Sequence, residues 1–306
     1  MEDLKAYLRP TLVLESRKLS QFVGLNLLIA SETFQHTGSF KYRAACNVVL
    51  NSKSNHLITI SSGNFGQALA CACQQFEKRC TILMPETSAR VKIEAVRGYG
   101  ANVKLVDTEK RSRAEHLSEF VSSLAESHEV VSPYDDDRVI DGNSSLADDL
   151  LEHKEQFDAV LVPVGGGGLA SGLVKGLKRN NLDATVYGVE PVLANDAARS
   201  LRSGKLESNE FEFMSIADGV RTLSLGKRNW EILKTGLEDV LEVREREIEA
   251  AVGHYYSLAN LKVEPSGALS LAALIAHKEK FENKKPLLIV SGGNVDPAVY
   301  ASLIKG

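Results

Sequence analysis

A lysine placed to lose its proton and a loop placed to hold a phosphate carry most of the chemistry in this chain. Lys41 stands in TGSFKYRAA. A Gly-Ser-Phe turn leads there into a helix start, with Thr37 or Ser39 as the expected N-cap. Near a sheet edge such a lysine can be buried. Burial disfavours the ammonium and lowers its pKa, which is the state a Schiff-base lysine needs. Taken alone, Lys41 reads as a solvated surface charge like most lysines. Gly165, Gly166, Gly167 and Gly168 follow the apolar run VLVPV and precede a helical pattern starting near Leu169. Residues without Cβ let backbone N–H groups approach a ligand closely, and the helix start adds partial positive charge. The result suits one phosphate. Neither GxGxxG nor the Lys-Ser/Thr of a P-loop is present, so a dinucleotide or nucleoside triphosphate is not the expected ligand. Ser61, Ser62, Gly63 and Asn64 open a helix after HLITI. Their hydroxyls, amide and N–H groups suit a carboxylate or a ring oxygen, or else form a plain N-cap and turn. Ser291, in SGGN after the last apolar run, can hydrogen-bond one buried heteroatom or simply make a turn.

These residues need a frame that brings strand ends together. Short apolar runs at 56–60, 80–85, 101–107, 158–164, 184–191, 240–245 and 286–290 alternate with helical patterns. That alternation predicts an α/β fold of open, twisted, mostly parallel sheets flanked by helices. Right-handed crossovers put the strand C-terminal ends on one side, where ligands bind. SSGN, GGGG and SGGN all fall at such ends. The charged stretch 201–213 reads as a surface segment with little order of its own.

Composition narrows the partners. The chain has 306 residues, about two domains at roughly 150 residues each. Lys+Arg is 36 against 40 Asp+Glu, a net charge of −4, so there is no basic excess to hold nucleic acid. No apolar run is long enough to span a bilayer, and no signal peptide or lipidation tag is read. Cys46, Cys71, Cys73 and Cys80 have neither metal-ligand spacing nor a secretory context. They read as free core thiols in a reducing cytoplasm.

TGSFKYRAA, SSGNFGQALA, the four-glycine loop, ADGVRT, VEPSGA and VSGGN occur in this order along essentially the whole chain. The set resembles the fold type II pyridoxal-phosphate enzymes, within the threonine/serine dehydratase and serine racemase group. The resemblance implies a tryptophan synthase β-like fold. A large domain, residues 1–52 with 133–306, would carry an inserted small domain, 53–132, that closes over substrate. Lys41 would hold pyridoxal 5′-phosphate as a Schiff base and then shuttle the Cα proton. Phe40 would pack beside the cofactor and Asn64 would meet the ring 3′-oxygen. Gly165 to Gly168 and the Leu169 N–H would hold the phosphate, Ser291 would face the pyridine nitrogen, and Glu264 would stand near the ring. Ser61 to Asn64 would hold the substrate carboxylate. Asp218 and Gly219 would shape the wall beside the ring, with Arg221 towards the substrate side. A homodimer is the usual assembly of the group.

The implied reaction is an ammonia-lyase reaction on L-serine, L-threonine or 3-hydroxyaspartate, giving a 2-oxo acid and ammonia. The alternative is a serine or aspartate racemase, with Lys41 and Ser62 as opposed bases. A β-replacing synthase fits the loops less well, and a binding protein without turnover is the reading from outside enzymes. Glu190, the Ala194 carbonyl and Asp196 resemble the group's divalent-cation segment and would take Mg²⁺ or Ca²⁺ through oxygen; otherwise they form a solvated acidic loop. Phe65, Ala44, Ala30 and the loop DGNSS (141–145) depart from the group's pattern. The lack of a C-terminal extension after the last helix favours an enzyme without amino-acid feedback.

Overall fold

The computed structural model describes residues 4–88 and 90–305, so the first residue of the helix that the pattern ARVKIEAVRGYG (89–100) predicts lies outside the described residues. β1 (Leu12–Leu14) and β2 (Leu28–Ser31) flank α1 (Arg17–Val23), and α2 (Lys41–Asn51) leads to β3 (His56–Ile60). Then come α3 (Asn64–Gln75), β4 (Arg79–Pro85), α4 (Arg90–Gly98), β5 (Asn102–Val106), α5 (Arg113–Ser122) and β6 (Glu129–Val130). α6 (Asp137–Ser144) and α7 (Leu146–Asp149) precede β7 (Ala159–Pro163), α8 (Gly168–Arg179), β8 (Thr185–Pro191) and α9 (Asp196–Ser203). The last elements are α10 (Lys227–Gly236), β9 (Asp239–Val243), α11 (Glu245–Ala259), α12 (Pro265–Ala276), β10 (Pro286–Val290) and α13 (Pro297–Leu303).

The strands form two sheets, ordered β1-β2-β10-β7-β8-β9 and β5-β4-β3-β6. Among the described residues, β1 against β2 is antiparallel and every other pairing is parallel. The seven expected runs appear as β3, β4, β5, β7, β8, β9 and β10. β1 and β2, only three and four residues long, do not stand out as apolar runs, although Ala30 falls in β2, the strand before the lysine motif.

Strand alternation divides the larger core. Ala159 and Leu161 of β7 face one apolar cluster with α11 and α12, while Val160 and Val162 face the other with α8 and α10. α12 is apolar nearly all round and buried from Pro265 to Leu274, as a helix enclosed on every side must be. A third cluster surrounds the smaller sheet and takes in Tyr42, Ala44, Ala45, Cys46, Val48 and Val49 of α2. No helix among the described residues is long and apolar enough to cross a membrane. The cysteines are free, and Cys46, Cys73 and Cys80 are buried.

Three local expectations are corrected. Thr37 and Ser39 do not cap α2. The helix starts after Phe40 without a side-chain cap, and both hydroxyls are buried without a partner. Backbone pairing holds the turn instead: Phe40 N–H donates to Ser291 O at 3.0 Å, and Gly293 N–H to Gly38 O at 3.0 Å. Residues 141–144 are helical, within α6, rather than a loop. A Cβ on Gly142 would meet the Arg43 carbonyl at 2.6 Å and Ala44 Cα at 2.9 Å, so α6 lies directly against α2. Residues 201–203 belong to α9, and Asn209 is buried against Asp196, its Nδ2 donating to Oδ1 at 2.8 Å.

The start of α2 is pinned from inside. Arg43, 1% exposed, donates to Glu32 Oε2 at 2.8 Å, Asp149 Oδ2 at 2.6 Å, Thr11 Oγ1 at 2.8 Å and Ser145 Oγ at 3.1 Å. Glu32 is equally buried, so removing the guanidinium would leave an uncompensated charge. Arg43→Ala should lower the unfolding free energy by about 3–5 kcal/mol. Urea denaturation measures this, and a loss below about 1 kcal/mol, the value of an exposed pair, would contradict it.

Candidate active site

One cavity of about 650 Å³ gathers Phe40, Lys41, Ser61, Ser62, Gly63, Asn64, Gly165 to Gly168, Leu169, Glu264 and Ser291. They arrive from the ends of β3, β7 and β10, from the start of α2 and, for Glu264, from the N-cap of α12. The parallel sheets therefore deliver every expected cofactor and substrate residue to one place.

Lys41 Nζ donates to Pro133 O at 3.1 Å and lies 4.9 Å from the centre of the Phe40 ring and 5.7 Å from that of Phe65. Burial of the ammonium lowers its pKa to about 8, with Glu264 pulling weakly the other way. At pH 7 about a tenth of such amines is unprotonated, against well under a hundredth for an ordinary lysine. Phe65, one of the departures, is 2% exposed and forms part of this apolar surround.

The glycine loop is fixed by its carbonyls. Gly166 O accepts from Asn229 Nδ2 at 2.7 Å and Gly226 N at 3.0 Å, Gly167 O from Ser171 N at 2.9 Å, and Gly168 O from Asn143 Nδ2 at 3.0 Å. In a planar trans peptide the next N–H points the opposite way. The N–H groups of Gly167, Gly168 and Leu169 are thus turned from their anchors, at a helix start without intrahelical acceptors. Side chains are excluded here. A Cβ on Gly166 would fall 2.3 Å from the Tyr134 ring, and Gly167 has φ +89°. The loop fits a phosphate. Asn143, Asn229 and Tyr134 support it, and sequence reading missed them because their partners are backbone atoms distant in the chain.

Ser61 Oγ accepts from Gly66 N at 3.2 Å, so it serves the turn as well as the cavity. Ser62 is half-buried on the cavity wall. Glu264 occupies the N-cap of α12 but makes no capping bond. Its Oε1 accepts from Asn64 Nδ2 at 2.8 Å, and Oε2 is buried without a partner. Burial pushes its pKa up to about 8, so the carboxyl is mostly neutral at pH 7. Ser291 is 4% exposed, and its carbonyl receives Phe40 N–H. Arg221 borders the cavity, but its Nε is held by Ser215 O at 2.7 Å. Asp218 pairs with Lys92 at 2.5 Å, and Arg113 pairs with Glu212 at 3.0 Å. Both pairs line the cavity and link segments around the smaller sheet to residues before α10.

The candidate cation residues are elsewhere. Glu190, Ala194 and Asp196 are buried and do not line the cavity. Both Glu190 oxygens accept from the start of α9, Oε1 from Ala198 N at 2.7 Å and Oε2 from Ala197 N at 3.3 Å. The solvated-loop alternative is excluded by this burial. Desolvation raises the Glu190 pKa well above normal, and that of Asp196 to about 6. Asp196 Oδ2 is buried and unpartnered, an acceptor suited to a hard cation. Among the described residues no group of three His, Cys, Asp or Glu side chains assembles, so a cation here would need backbone or water oxygens as well.

A buried lysine facing a glycine phosphate loop at the ends of parallel strands defines a cofactor-dependent enzyme of the α/β class. Residues 4–293 match the family described as "Pyridoxal-phosphate dependent enzyme", and the chain belongs to that family. It is 35% identical to the L-threo-3-hydroxyaspartate ammonia-lyase of Saccharomyces cerevisiae, across 99% of this chain and 93% of that one. It is also 35% identical to the serine racemase of Dictyostelium discoideum, across 98% and 94%. The structure of maize serine racemase superposes with a TM-score of 0.90 at 30% identity, covering 99% of this chain and 94% of the other.

Glu264 sets a measurable pH signature. Its ordinary pKa of 4.5 rises to about 8 on folding, so between these values the folded chain holds a proton the unfolded chain lacks. That contribution is full below pH 4.5 and is lost as pH rises towards 8. Glu264→Gln cannot titrate. In the apoprotein the melting temperature of the glutamine variant, relative to wild type, should increase from pH 5 to pH 8. An equal difference at both pH values would contradict the assignment.

Proposed function

We propose that this chain is a pyridoxal-phosphate-dependent ammonia-lyase. It converts a β-hydroxy amino acid (L-serine, L-threonine or 3-hydroxyaspartate) to a 2-oxo acid and ammonia. The observation that carries the reading is the dehydrated Lys41 amine sharing one cavity with the glycine loop. Relatives named as ammonia-lyases support the same chemistry.

When bound, pyridoxal phosphate supplies an electron-accepting ring that stabilises negative charge at the substrate Cα. Phe40 would pack beside it, Asn64 and Glu264 would serve the ring oxygen, Ser291 would serve the ring nitrogen, and Gly165 to Leu169 would hold the phosphate. Ser61 to Asn64 receive the substrate carboxylate. The Lys41 amine takes the Cα proton as general base. Loss of that proton and of the β-hydroxyl leaves an enamine, which hydrolyses to the oxo acid and ammonia. The apolar rings of Phe40 and Phe65 keep water from the amine.

A racemase reading is favoured by one residue. Ser62 borders the cavity, and relatives named serine racemase are as similar as the lyases. Lys41 would act on one face of Cα and Ser62 on the other. We also propose a division into residues 1–52 with 133–306 and an inserted unit, 53–132, closing over substrate. The Lys92–Asp218 and Arg113–Glu212 pairs would part when it opens. The apolar face of α2 packs with the smaller sheet although the helix falls in the larger unit by sequence. A homodimer in the cytoplasm completes the proposal.

L-Serine, L-threonine and threo-3-hydroxyaspartate should be compared in deuterated water. Oxo acid release is expected from at least one, and none from Lys41→Ala. Deuterium at Cα with inverted configuration would signal racemisation, which Ser62→Ala should abolish while oxo acid release from the L-isomer persists. A protein that takes up no pyridoxal phosphate, or releases no oxo acid from any substrate, overturns the lyase reading. Mg²⁺ or Ca²⁺ at Glu190, Ala194 O and Asp196 should raise the melting temperature of EDTA-treated protein, and Glu190→Gln should remove the gain. No gain in wild type would remove the cation from the proposal.

A further inference from the structure

Asn294 closes the SGGN turn after β10, and its side chain has no role in the reading so far. Its Nδ2 donates to Thr37 O at 2.7 Å and to Asn64 Oδ1 at 2.9 Å. The first bond dictates the second. A backbone carbonyl can only accept, so the Asn294 atom facing Thr37 is the NH₂ and not the oxygen. The same NH₂ then requires an acceptor from Asn64, which must turn its Oδ1 towards it. Asn64 Nδ2 is thereby directed the other way, to Glu264 Oε1 at 2.8 Å and to the cavity. Glu264 cannot impose this orientation, because a neutral carboxyl both donates and accepts. Gly38 makes room for the clamp: it has φ +71°, and a Cβ there would fall 2.5 Å from Asn294 Oδ1.

We propose that Asn294 is a positioning residue that fixes which end of the Asn64 amide faces the cofactor ring. An NH₂ has two protons. Glu264 takes one, and the other remains for the ring oxygen. A reversed amide would set a carbonyl against that oxygen and repel it. The proposal rests on the reading of Asn64 as the ring-oxygen partner.

The test is a double-mutant cycle on full-length protein: Asn64→Ala, Asn294→Leu and both together. Asn294→Asp is a second variant that also lacks the donor, should the leucine variant not fold. The readouts are the dissociation constant for pyridoxal phosphate, the visible absorption maximum of the bound cofactor and the melting temperature of the apoprotein. Asn294→Leu should weaken cofactor binding about tenfold, the scale of one hydrogen bond to a charged oxygen, and shift the absorption maximum. In the Asn64→Ala background the same substitution should change affinity by less than about twofold, because its partner is already gone. If Asn64→Ala alone changes neither affinity nor spectrum, the reading of Asn64 fails and takes the inference with it. If Asn64→Ala has its effect but Asn294→Leu has none, or the two effects simply add, the inference fails and the reading of Asn64 stands.

Discussion

Everything in the cavity depends on keeping one ammonium away from water. A solvated lysine holds its proton too tightly to act near neutral pH. Lys41 escapes that state through backbone geometry more than through its own neighbours. The turn before α2 is clamped to the end of β10 by Phe40 N–H on Ser291 O and by the Ser39–Gly292 bridge. This clamp replaces the side-chain cap expected for the helix. It drives the first residue of α2 into the cleft, where the Phe40 and Phe65 rings and the Pro133 carbonyl enclose the amine. Arg43, two residues on, holds the same helix start from the protein side.

The charges of the cavity are either paired or shifted towards neutrality. An anion there can meet backbone N–H groups, neutral polar side chains and the Lys41 amine, and the buried carboxyl of Glu264 is shifted towards its uncharged form. Dipoles fixed by the fold need no reorganisation when charge arrives, which suits a site where charge must develop on a substrate. Paired charges line the same cavity, where Lys92, its Nζ 3.7 Å from the place of a Cβ on Gly63, faces Asp218, and Arg113 faces Glu212. A net charge of −4 over the chain therefore carries little information about the ligand, because the groups that meet it are locally paired or neutral.

The central strands and the three glycine-bearing loops were legible because their signals are local: β-branched runs, and glycine where a Cβ cannot fit. Asn64 and Ser291 could be placed with the glycine loop because parallel strands share an end, whereas Lys41 and Glu264 were placed there by the resemblance of their motifs. The cap of α2 was misread because Thr37 and Ser39 have the right chemistry for a local bond, while the competing backbone pairing comes from residues 290–293 at the far end of the chain. The supports Asn143, Asn229 and Asn294 left no signal for the same reason. An asparagine that donates to a distant backbone carbonyl looks, in sequence, like any polar residue near a turn. The segment 141–145 reads as a loop through the resemblance to the group's pattern, yet Gly142 there serves a helix contact and not a turn.

That contact joins the departures from the group's pattern to the geometry of the site. α2 carries the lysine, α8 carries the phosphate loop, and α6 lies between them. Gly142 of α6 meets the α2 backbone at Arg43 and Ala44, where a Cβ would fall 2.6 Å from a carbonyl oxygen. Gly172 and Gly176 of α8 meet α6 in turn, and Cβ atoms there would lie 2.7 Å from Ile140 O and 2.4 Å from Ser144 O. At each crossing backbone rests on backbone, with no flexible side chain between them to absorb a shift. Close-packed contacts of this kind transmit displacement instead of damping it. The stack of three helices therefore holds α2, which begins at Lys41, at a fixed distance from α8, which begins in the glycine loop. Ala44, where the group's pattern has glycine, is fully buried at this crossing, and its Cα would lie 2.9 Å from a Cβ on Gly142.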